Sequence, residues 1–242
     1  MPNPFELRGK RVLVVGLART GVATALFCAA RDAHVTATDA RPEDEIDETI
    51  APLRTADVRL ELGGHREITF LEQDLIIPSP GVPADAPLLQ AARAKGVTIW
   101  SEVELADRFL HGRLIGITGS NGKTTTTSLV EHILKNAGFS TILAGNIGTP
   151  LIARVEQTND HSISVVELSS FQLELIETFR SNISVFLNLT PDHLDRHGSM
   201  DVGAERSAGG SITSTATSAA YDLGTNDDAR SAPHDWGRAR SR

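Results

Sequence analysis

The sequence predicts an α/β protein built on parallel sheets, and two observations carry that prediction. Short, almost continuously apolar runs alternate with stretches of helical period, as expected when strands are buried on both faces of a sheet. These runs end in glycine-rich or acidic loops, which is where open parallel sheets bind ligands. The alternation occurs in two successive blocks, so we expect two α/β units, each with a doubly wound sheet.

Composition narrows the class of protein. The 242 residues leave room for one or two domains, and 40% hydrophobic and 22% charged residues are ordinary for a globular chain. A net charge of −8 argues against nonspecific nucleic-acid or membrane-surface binding. The chain shows no leader-like N-terminus and no apolar run near the roughly 18 residues of a membrane span. We therefore expect a cytoplasmic protein with no nucleic-acid or membrane partner, and a core position for its one cysteine, Cys28.

The first block begins with a strand–turn–helix–strand unit. The strand Arg11–Gly16 leads into the turn Gly16–Gly21, an alanine-rich helix follows to about Asp32, and a second strand covers His34–Asp39. This arrangement, closed by an acidic residue, is typical of the Rossmann-like dinucleotide-binding unit. Ala18 replaces the second glycine of the usual Gly-x-Gly-x-x-Gly fingerprint. The turn alone leaves open a nicotinamide, a flavin or any other phosphate-bearing nucleotide.

The rest of the first block predicts three more strands and a rigid loop. Ser79–Pro83 breaks the pattern at the end of a strand, and Ser101 looks like a helix cap with Glu104 in the capping-box position. We place a domain boundary near His111-Gly112. The predicted elements are strands at Val58–Leu62, Leu75–Pro78 and Val97–Trp100, and a helix at Pro87–Lys95.

The second block opens with the most informative segment of the chain, Gly116-Ile-Thr-Gly-Ser-Asn-Gly-Lys-Thr-Thr125. It lies between an apolar run and a helical pattern, so its backbone N–H groups and the helix N-terminus would form a phosphate cradle. Lys123 would reach the β- and γ-phosphates, and the Thr124 hydroxyl would sit on Mg²⁺. Ile117 stands where the general phosphate-loop pattern has its first glycine. An ordinary glycine-rich turn is the alternative.

Two residues at later strand ends could hold metal. The strand Ser162–Val166 ends at Glu167, and the strand Ile183–Leu187 leads to His193. Mg²⁺ prefers hard oxygen ligands and keeps several waters, so Glu167 beside Thr124 is a plausible pair. His193 could bind a second metal or hold a substrate oxygen. The alternatives are a solvated acid for Glu167 and a surface-loop histidine for His193.

The remaining predictions are a strand at Ser140–Leu143, a turn at Gly145–Gly148 and a helix at Phe171–Phe179.

Four motifs, in order and at similar spacing, resemble the Mur ligases. They are Gly116–Thr125, Gly145-Asn-Ile-Gly148, Glu167-Leu-Ser-Ser-Phe-Gln-Leu-Glu174 and Asn188-Leu-Thr-Pro-Asp-His-Leu-Asp-Arg196. The third is most similar to the branch of the family that adds D-glutamate. The resemblance covers Leu7 to about Met200, and it accounts for Ile117 because the family uses a shorter loop.

The resemblance implies ATP-dependent ligation of D-glutamate to UDP-N-acetylmuramoyl-L-alanine through an acyl phosphate, in cytoplasmic peptidoglycan precursor synthesis. Residues 1–111 would bind the UDP substrate, and 112–200 would form an incomplete central ATP-binding domain. The implied catalytic residues are Lys123 and His193, and the implied metal ligands are Thr124, Glu167 and His193. The implied ATP-binding residues are Gly119, Ser120, Asn121, Gly122, Lys123, Thr124 and Thr125. The implied UDP-substrate residues are Arg19 and Thr20 at the diphosphate turn, Asp39 and Arg41 on the uridine side, Ser79 in the loop beneath it, and Asn146, Ser169 and Gln172 near the reacting centre.

The chain also departs from the family. No lysine follows Lys135, so the carbamylated lysine that bridges the metals in the family has no counterpart. Residues 201–242 are poor in large apolar residues, and we expect them to be a disordered tail that replaces the rest of the central domain and the D-glutamate-binding domain. A frameshift near codon 201 would explain the change. We expect a monomer inactive in amide synthesis. The alternatives are a non-catalytic fragment that binds nucleotide or UDP precursor, and an unrelated phosphate-loop kinase or ATPase.

Overall fold

The computed structural model describes residues 5–146 and 148–188. Within these ranges the chain forms two sheets, and every strand pairing in them is parallel. This confirms the predicted α/β class.

The first sheet has the strand order β3-β2-β1-β4-β5. The first strand is central, and its Val14 lies opposite Ala37 on one side and Ile77 on the other. Its residues Val12 to Val15 are almost fully buried, as a strand covered on both faces requires. The five strands are β1 (Arg11–Val15), β2 (His34–Asp39), β3 (Arg59–Leu62), β4 (Leu75–Pro78) and β5 (Thr98–Ile99).

Five helices accompany this sheet, and two of them have no counterpart among the sequence predictions. One of the two, α2, begins with three acidic residues and buries Ile46, Ile50 and Leu53 along one face. Acidic residues stabilise a helix N-terminus, and the 4- and 3-residue spacing places apolar side chains on one stripe. The helices are α1 (Arg19–Ala29), α2 (Glu43–Arg54), α3 (Glu67–Leu71), α4 (Pro87–Ala94) and α5 (Glu102–Asp107).

The second sheet has the order β7-β8-β6-β9, with the strand that precedes the phosphate loop in an interior position. Its strands are β6 (Arg113–Thr118), β7 (Thr141–Gly145), β8 (Ile163–Glu167) and β9 (Ile183–Phe186). Its helices are α6 (Lys123–Asn136), a 3₁₀-helix (Leu151–Gln157) and α7 (Ser170–Leu173). Strand β5 belongs to the first sheet and β6 to the second. The domain boundary near His111-Gly112 stays a prediction.

One hydrophobic core runs through both sheets. It joins residues of the first sheet such as Val14 and Ala37 to residues of the second such as Ala144 and Val166. Cys28 belongs to this core and is fully buried, as predicted, and burial raises the pKa of its thiol to about 12. Among the helices of residues 5–146 and 148–188, none has both the length and the hydropathy to cross a bilayer.

Two sequence predictions about helices are wrong. The helix predicted at Phe171–Phe179 ends at Leu173, because the backbone N–H groups of residues 177–179 donate to the Glu104 carboxylate instead of continuing a helix. The capping box at Ser101 forms only by half. The Ser101 hydroxyl accepts the Glu104 N–H at 3.4 Å. The Glu104 carboxylate, however, accepts the N–H groups of residues 177–179 instead of the Ser101 N–H. The predicted tail, 201–242, lies outside the described residues.

Candidate functional site

The phosphate loop connects β6 to α6 and has the backbone that its glycines permit. Gly122 is the N-cap of α6 and has φ of +81°, a left-handed conformation that a side chain would strain. The first N–H groups of any helix have no partner within the helix, so those of Lys123 and Thr124 are donors that a bound anion could use. This end of the helix therefore offers an anion the positive end of the dipole together with free donors.

Lys123 folds over the loop that precedes it. Its Nζ donates to the carbonyl of Gly119 at 2.7 Å and to the carbonyl of Ser120 at 2.9 Å. The ammonium group is thus held at the mouth of the loop by acceptors from the loop itself. A phosphate entering this space would meet the lysine charge and the helix N-terminus together.

An acid and two polar side chains meet beside the lysine. The Thr124 hydroxyl donates to Oε2 of Glu167 at 2.8 Å, and the Asn146 amide donates to Oε1 at 3.0 Å. Glu167 is 3% exposed, because it ends β8 between the ends of β6 and β7. A carboxylate, a hydroxyl and an amide oxygen are hard donors of the kind that Mg²⁺ takes. Within the described ranges no group of three or more His, Cys, Asp or Glu side chains could hold a metal, so these donors would have to act with waters and phosphates.

The loop after β7 brings the two halves of the predicted site together. The Asn146 backbone N–H donates to the Glu167 carbonyl at 2.9 Å, which fixes the start of this loop on β8. Arg19, from the first unit, donates to the carbonyl of Gly148 at 2.8 Å. The turn predicted to bind a diphosphate therefore lies against the loop that supports Glu167.

The turn between β1 and α1 is built for close approach. A Cβ on Gly21 would lie 1.9 Å from the Gly16 carbonyl oxygen, so only glycine allows α1 to start so near the end of β1. The Ser79 hydroxyl, at the end of β4, donates to the same Gly16 carbonyl at 2.6 Å. The chain reverses direction of winding between β1 and β4, and such switch points are where open α/β sheets bind ligands. Thr20 is the second residue of α1, and its carbonyl accepts the Thr24 hydroxyl.

Asp39 and Arg41 bind each other. The Asp39 carboxylate accepts Nε and Nη2 of Arg41 at 2.9 and 2.7 Å, and it also accepts the backbone N–H of Leu17 at 2.7 Å. The bond from the Arg41 side chain, more than any other interaction, holds the pKa of Asp39 well below its usual range. The predicted uridine-side pair thus also anchors β2 to the turn after β1.

Ser169 and Gln172 form a complete capping box at the start of α7. The Gln172 N–H donates to the Ser169 hydroxyl at 3.2 Å, and the Ser169 N–H donates to the Gln172 side chain at 3.0 Å. Gln172 is 2% exposed, and its Nε2 lies 3.4 Å from a carboxylate oxygen of Glu102. The buried Gln172 side chain therefore fixes the backbone at Ser169, two residues after Glu167, and links it to α5.

Helix α5 carries buried acids that the sequence reasoning missed. Glu102 is 1% exposed and accepts the N–H of Ile152 at 2.6 Å, and burial raises the pKa of its carboxyl to about 7. Burial also raises the pKa of Asp107 to about 6, with a smaller contribution from the Glu104 charge. In sequence Glu102 looks like part of the polar first turn of a short helix and Asp107 like an acid at its end, so no local signal separates them from solvated residues. His193, the other predicted metal ligand, lies outside the described residues.

Comparisons with known proteins identify the family of this chain. Residues 10–101 match the family model described as Mur ligase MurD-like, N-terminal domain, and residues 117–218 match the Mur ligase middle domain. The chain belongs to the Mur ligase family.

Curated relatives of the chain are named for one reaction within this family. The chain is 52% identical over 197 residues to a UDP-N-acetylmuramoylalanine–D-glutamate ligase of Koribacter versatilis, covering 81% of this chain and 44% of the relative. A ligase of the same name from Acidobacterium capsulatum is 53% identical over 197 residues, covering 81% and 43%. The chain thus spans under half the length of these curated relatives. A solved UDP-N-acetylmuramate:L-alanyl-gamma-D-glutamyl-meso-diaminopimelate ligase from Neisseria meningitides is 16% identical over 82% of this chain and 66% of its own, with a TM-score of 0.49.

Proposed function

We propose that this chain is the UDP-precursor-binding and ATP-binding portion of a ligase that joins D-glutamate to UDP-N-acetylmuramoyl-L-alanine. The observation that carries the proposal is the contact of Thr124 and Asn146 with Glu167, beside Lys123 and the N-terminus of α6. The names of the curated relatives supply the substrates.

In the proposed reaction, a carboxylate oxygen of the UDP precursor bonds to the γ-phosphorus of ATP while the bond to the ADP oxygen breaks. The amine of D-glutamate then bonds to the carbonyl carbon of the acyl phosphate, loses a proton to solvent and displaces phosphate. Phosphoryl transfer of this kind depends on positioning and charge neutralisation more than on covalent help. Lys123 and the first N–H groups of α6 would supply that neutralisation.

The donors at Glu167 fit Mg²⁺, and we assign the metal to them. Thr124 and Glu167 would hold it, with His193 as the proposed ligand of a second ion. When bound, Mg²⁺ would neutralise the phosphate oxygens and fix their orientation. The hydrogen bond from the Thr124 hydroxyl to Glu167 places the two proposed ligands side by side.

The first unit would hold the UDP end of the substrate. The turn that begins α1, with Arg19 and Thr20, would take the diphosphate, while Asp39, Arg41 and Ser79 lie at neighbouring strand ends. Because Arg19 also contacts the Gly148 carbonyl, the diphosphate turn and the loop bearing Asn146 lie side by side. This favours a substrate that runs from the first unit toward the phosphate loop.

We expect this chain to bind both ligands without turning them over, because no lysine follows Lys135 in its sequence. The experiment is separate calorimetric titration of Mg-ATP and UDP-N-acetylmuramoyl-L-alanine, with a coupled assay for ADP release on addition of D-glutamate. Lys123→Ala should weaken ATP binding more than tenfold and leave UDP-precursor binding unchanged. Lys135→Ala is the matched control, since Lys135 is an exposed lysine near the other end of the same helix. A folded chain that binds neither ligand would refute the proposal, and D-glutamate-dependent ADP release would refute the expected lack of turnover.

A further inference from the structure

The side chain of Asn188 binds both backbone groups of one residue in the phosphate loop. Its Oδ1 accepts the Asn121 N–H at 2.9 Å, and its Nδ2 donates to the Asn121 carbonyl at 2.9 Å. The Asn188 main chain adds a third bond, because its carbonyl accepts the Ser120 N–H at 3.0 Å. A single residue thus makes three hydrogen bonds to the tip of the loop.

These bonds continue the sheet beyond its last strand. Leu187 donates its N–H to the Thr118 carbonyl at 3.0 Å, one step before the contacts of Asn188 begin. The two chains also lie close together, since a Cβ on Gly119 would fall 3.0 Å from the Leu187 Cβ. The first half of the phosphate loop is therefore bound along its length to the segment that follows β9.

The direction of these bonds decides which amides an anion can use. The N–H groups of Ser120 and Asn121 donate to Asn188, so a bound anion would have to compete with Asn188 for them. The N–H groups of the first turn of α6 and the Lys123 ammonium can serve a phosphate without displacing Asn188. The loop tip is held by Asn188, while the helix end faces the ligand.

An amide is suited to this task. A carboxamide offers a donor and an acceptor on one planar group that stays neutral at any ordinary pH, so it can bind an N–H and a C=O of the same residue as a backbone peptide would. An alanine at this position would leave both groups of Asn121 to water and free the loop tip to move.

We infer that Asn188 is a positioning residue for the phosphate loop, which holds the Ser120–Asn121 tip so that α6 and Lys123 face a bound polyphosphate. The inference rests on the proposed nucleotide site at this loop. It assigns Asn188 to the loop's shape and not to contact with the ligand.

The test compares Asn188→Ala with Asn182→Ala in the full chain. Asn182 is the matched control, because its Oδ1 accepts the Leu114 N–H at 2.7 Å at the opposite end of β9. The first readout is hydrogen exchange, by mass spectrometry, of a peptide covering residues 119–125 without ligand. We expect faster exchange in Asn188→Ala and no change in Asn182→Ala.

The second readout is binding of ATP, ADP and AMP with Mg²⁺. Asn188→Ala should weaken ATP and ADP binding about tenfold, AMP much less, and UDP-N-acetylmuramoyl-L-alanine not at all, whereas Asn182→Ala should leave all four unchanged. Unchanged exchange in the 119–125 peptide, or equal loss for AMP and ATP, overturns the inference. If the wild-type chain shows protection that Asn188→Ala removes, yet binds no nucleotide, the proposed function fails while the hold of Asn188 on the loop stands.

Discussion

At the scale of single residues, three carboxylates show how neighbours decide what an acid does. Asp39 receives an arginine and a backbone amide, so its pKa falls and it stays charged. Glu102 is buried with amide donors and no cation in contact, so its pKa rises to about 7. Glu167 accepts a hydroxyl and an amide beside the phosphate loop, where we propose that it would hold a metal.

Replacing Glu167 with glutamine tests the metal assignment. The amide keeps the shape of the side chain but removes the charge that would attract Mg²⁺, so the gain in ATP affinity that Mg²⁺ provides should fall by about tenfold or more. Calorimetric titration of ATP with Mg²⁺ and with EDTA measures that gain. Glu174→Gln, in the same sequence motif, is the control and should keep the full Mg²⁺ effect. Equal Mg²⁺ dependence in both variants would contradict the assignment.

Replacing Asp39 with asparagine tests its role as an anchor of the turn. Because the folded-state pKa of Asp39 is lowered, its stabilising effect is present above the unfolded pKa near 4 and is lost as the pH falls below that value. Asp39→Asn should lower the free energy of unfolding at pH 7 by on the order of 2 kcal/mol, with a smaller difference at pH 3. Urea denaturation at both pH values measures this, with the exposed Asp85→Asn as control. A difference that does not shrink at pH 3 would contradict the role of the charge.

At the scale of elements, the short helix α5 joins the two units. Glu104 is fully buried, and it accepts backbone N–H groups from Glu177, Thr178 and Phe179. Burial alone would raise its pKa, but those amides and the Arg108 side chain outweigh burial, and the pKa is lowered. Residues 177–179 give up helical hydrogen bonds to reach Glu104. The bonds that they and Arg108 make to its carboxylate offset that cost.

Glu104→Gln should weaken the joint between the two units, by which we mean the contact of α5 with residues 177–179. A glutamine accepts fewer of the three amides and turns a donor toward Arg108, so we expect a loss of about 3 kcal/mol in the free energy of unfolding. Urea denaturation followed by tryptophan fluorescence is suited to the test, because the Trp100 indole donates to Glu177 at 2.7 Å in the same joint. Glu48→Gln, on the exposed face of α2, should change stability by under about 0.5 kcal/mol. A similar small change in Glu104→Gln would show that the joint does not depend on this charge.

At the scale of the whole molecule, contacts from several elements fix one unit against the other. Arg19 reaches the Gly148 carbonyl, Arg31 pairs with Glu156, and Trp100 bonds to Glu177. The shared core and the buried acids of α5 add to them. The turn proposed for the diphosphate and the loop proposed for ATP are therefore held at a set separation before any ligand arrives.

Glu102 should make the stability of the whole chain depend on pH near neutrality. With a pKa raised from 4.5 to about 7, the native state keeps a proton that the unfolded chain has released, so stability falls as the pH rises from about 4.5 to 7. The fall attributable to Glu102 is on the order of 3 kcal/mol. Glu102→Gln should remove it and make the chain more stable than wild type at pH 8.

Urea denaturation at several pH values from 4 to 8 measures the slope. Asp107, with a pKa raised to about 6, titrates in the same window, so Glu102→Gln should retain a shallower slope that Asp107→Asn reduces separately. An unchanged slope in Glu102→Gln would mean that this carboxyl is ionised in the native state at neutral pH.

The sequence by itself determined the strands and the chemistry at their ends. Apolar runs fixed β2 and β4 at their observed bounds, and glycines marked the turns at Gly21 and Gly122, because strand burial and backbone freedom are properties of a few adjacent residues. The motifs likewise indicated Lys123, Thr124 and Glu167, which the fold brings together.

Only the tertiary structure decided the partners of α5 and Asn188, and the early end of α7. Glu102 and Glu104 meet amides about fifty to seventy-five residues away, and Asn188 meets Asn121 across 67 residues. A short polar helix and an asparagine after a strand look the same in sequence whether they face water or a distant backbone. The packed fold decides whether such a side chain faces water or a distant backbone, because the free energy of a buried hydrogen bond depends on which groups are brought into contact.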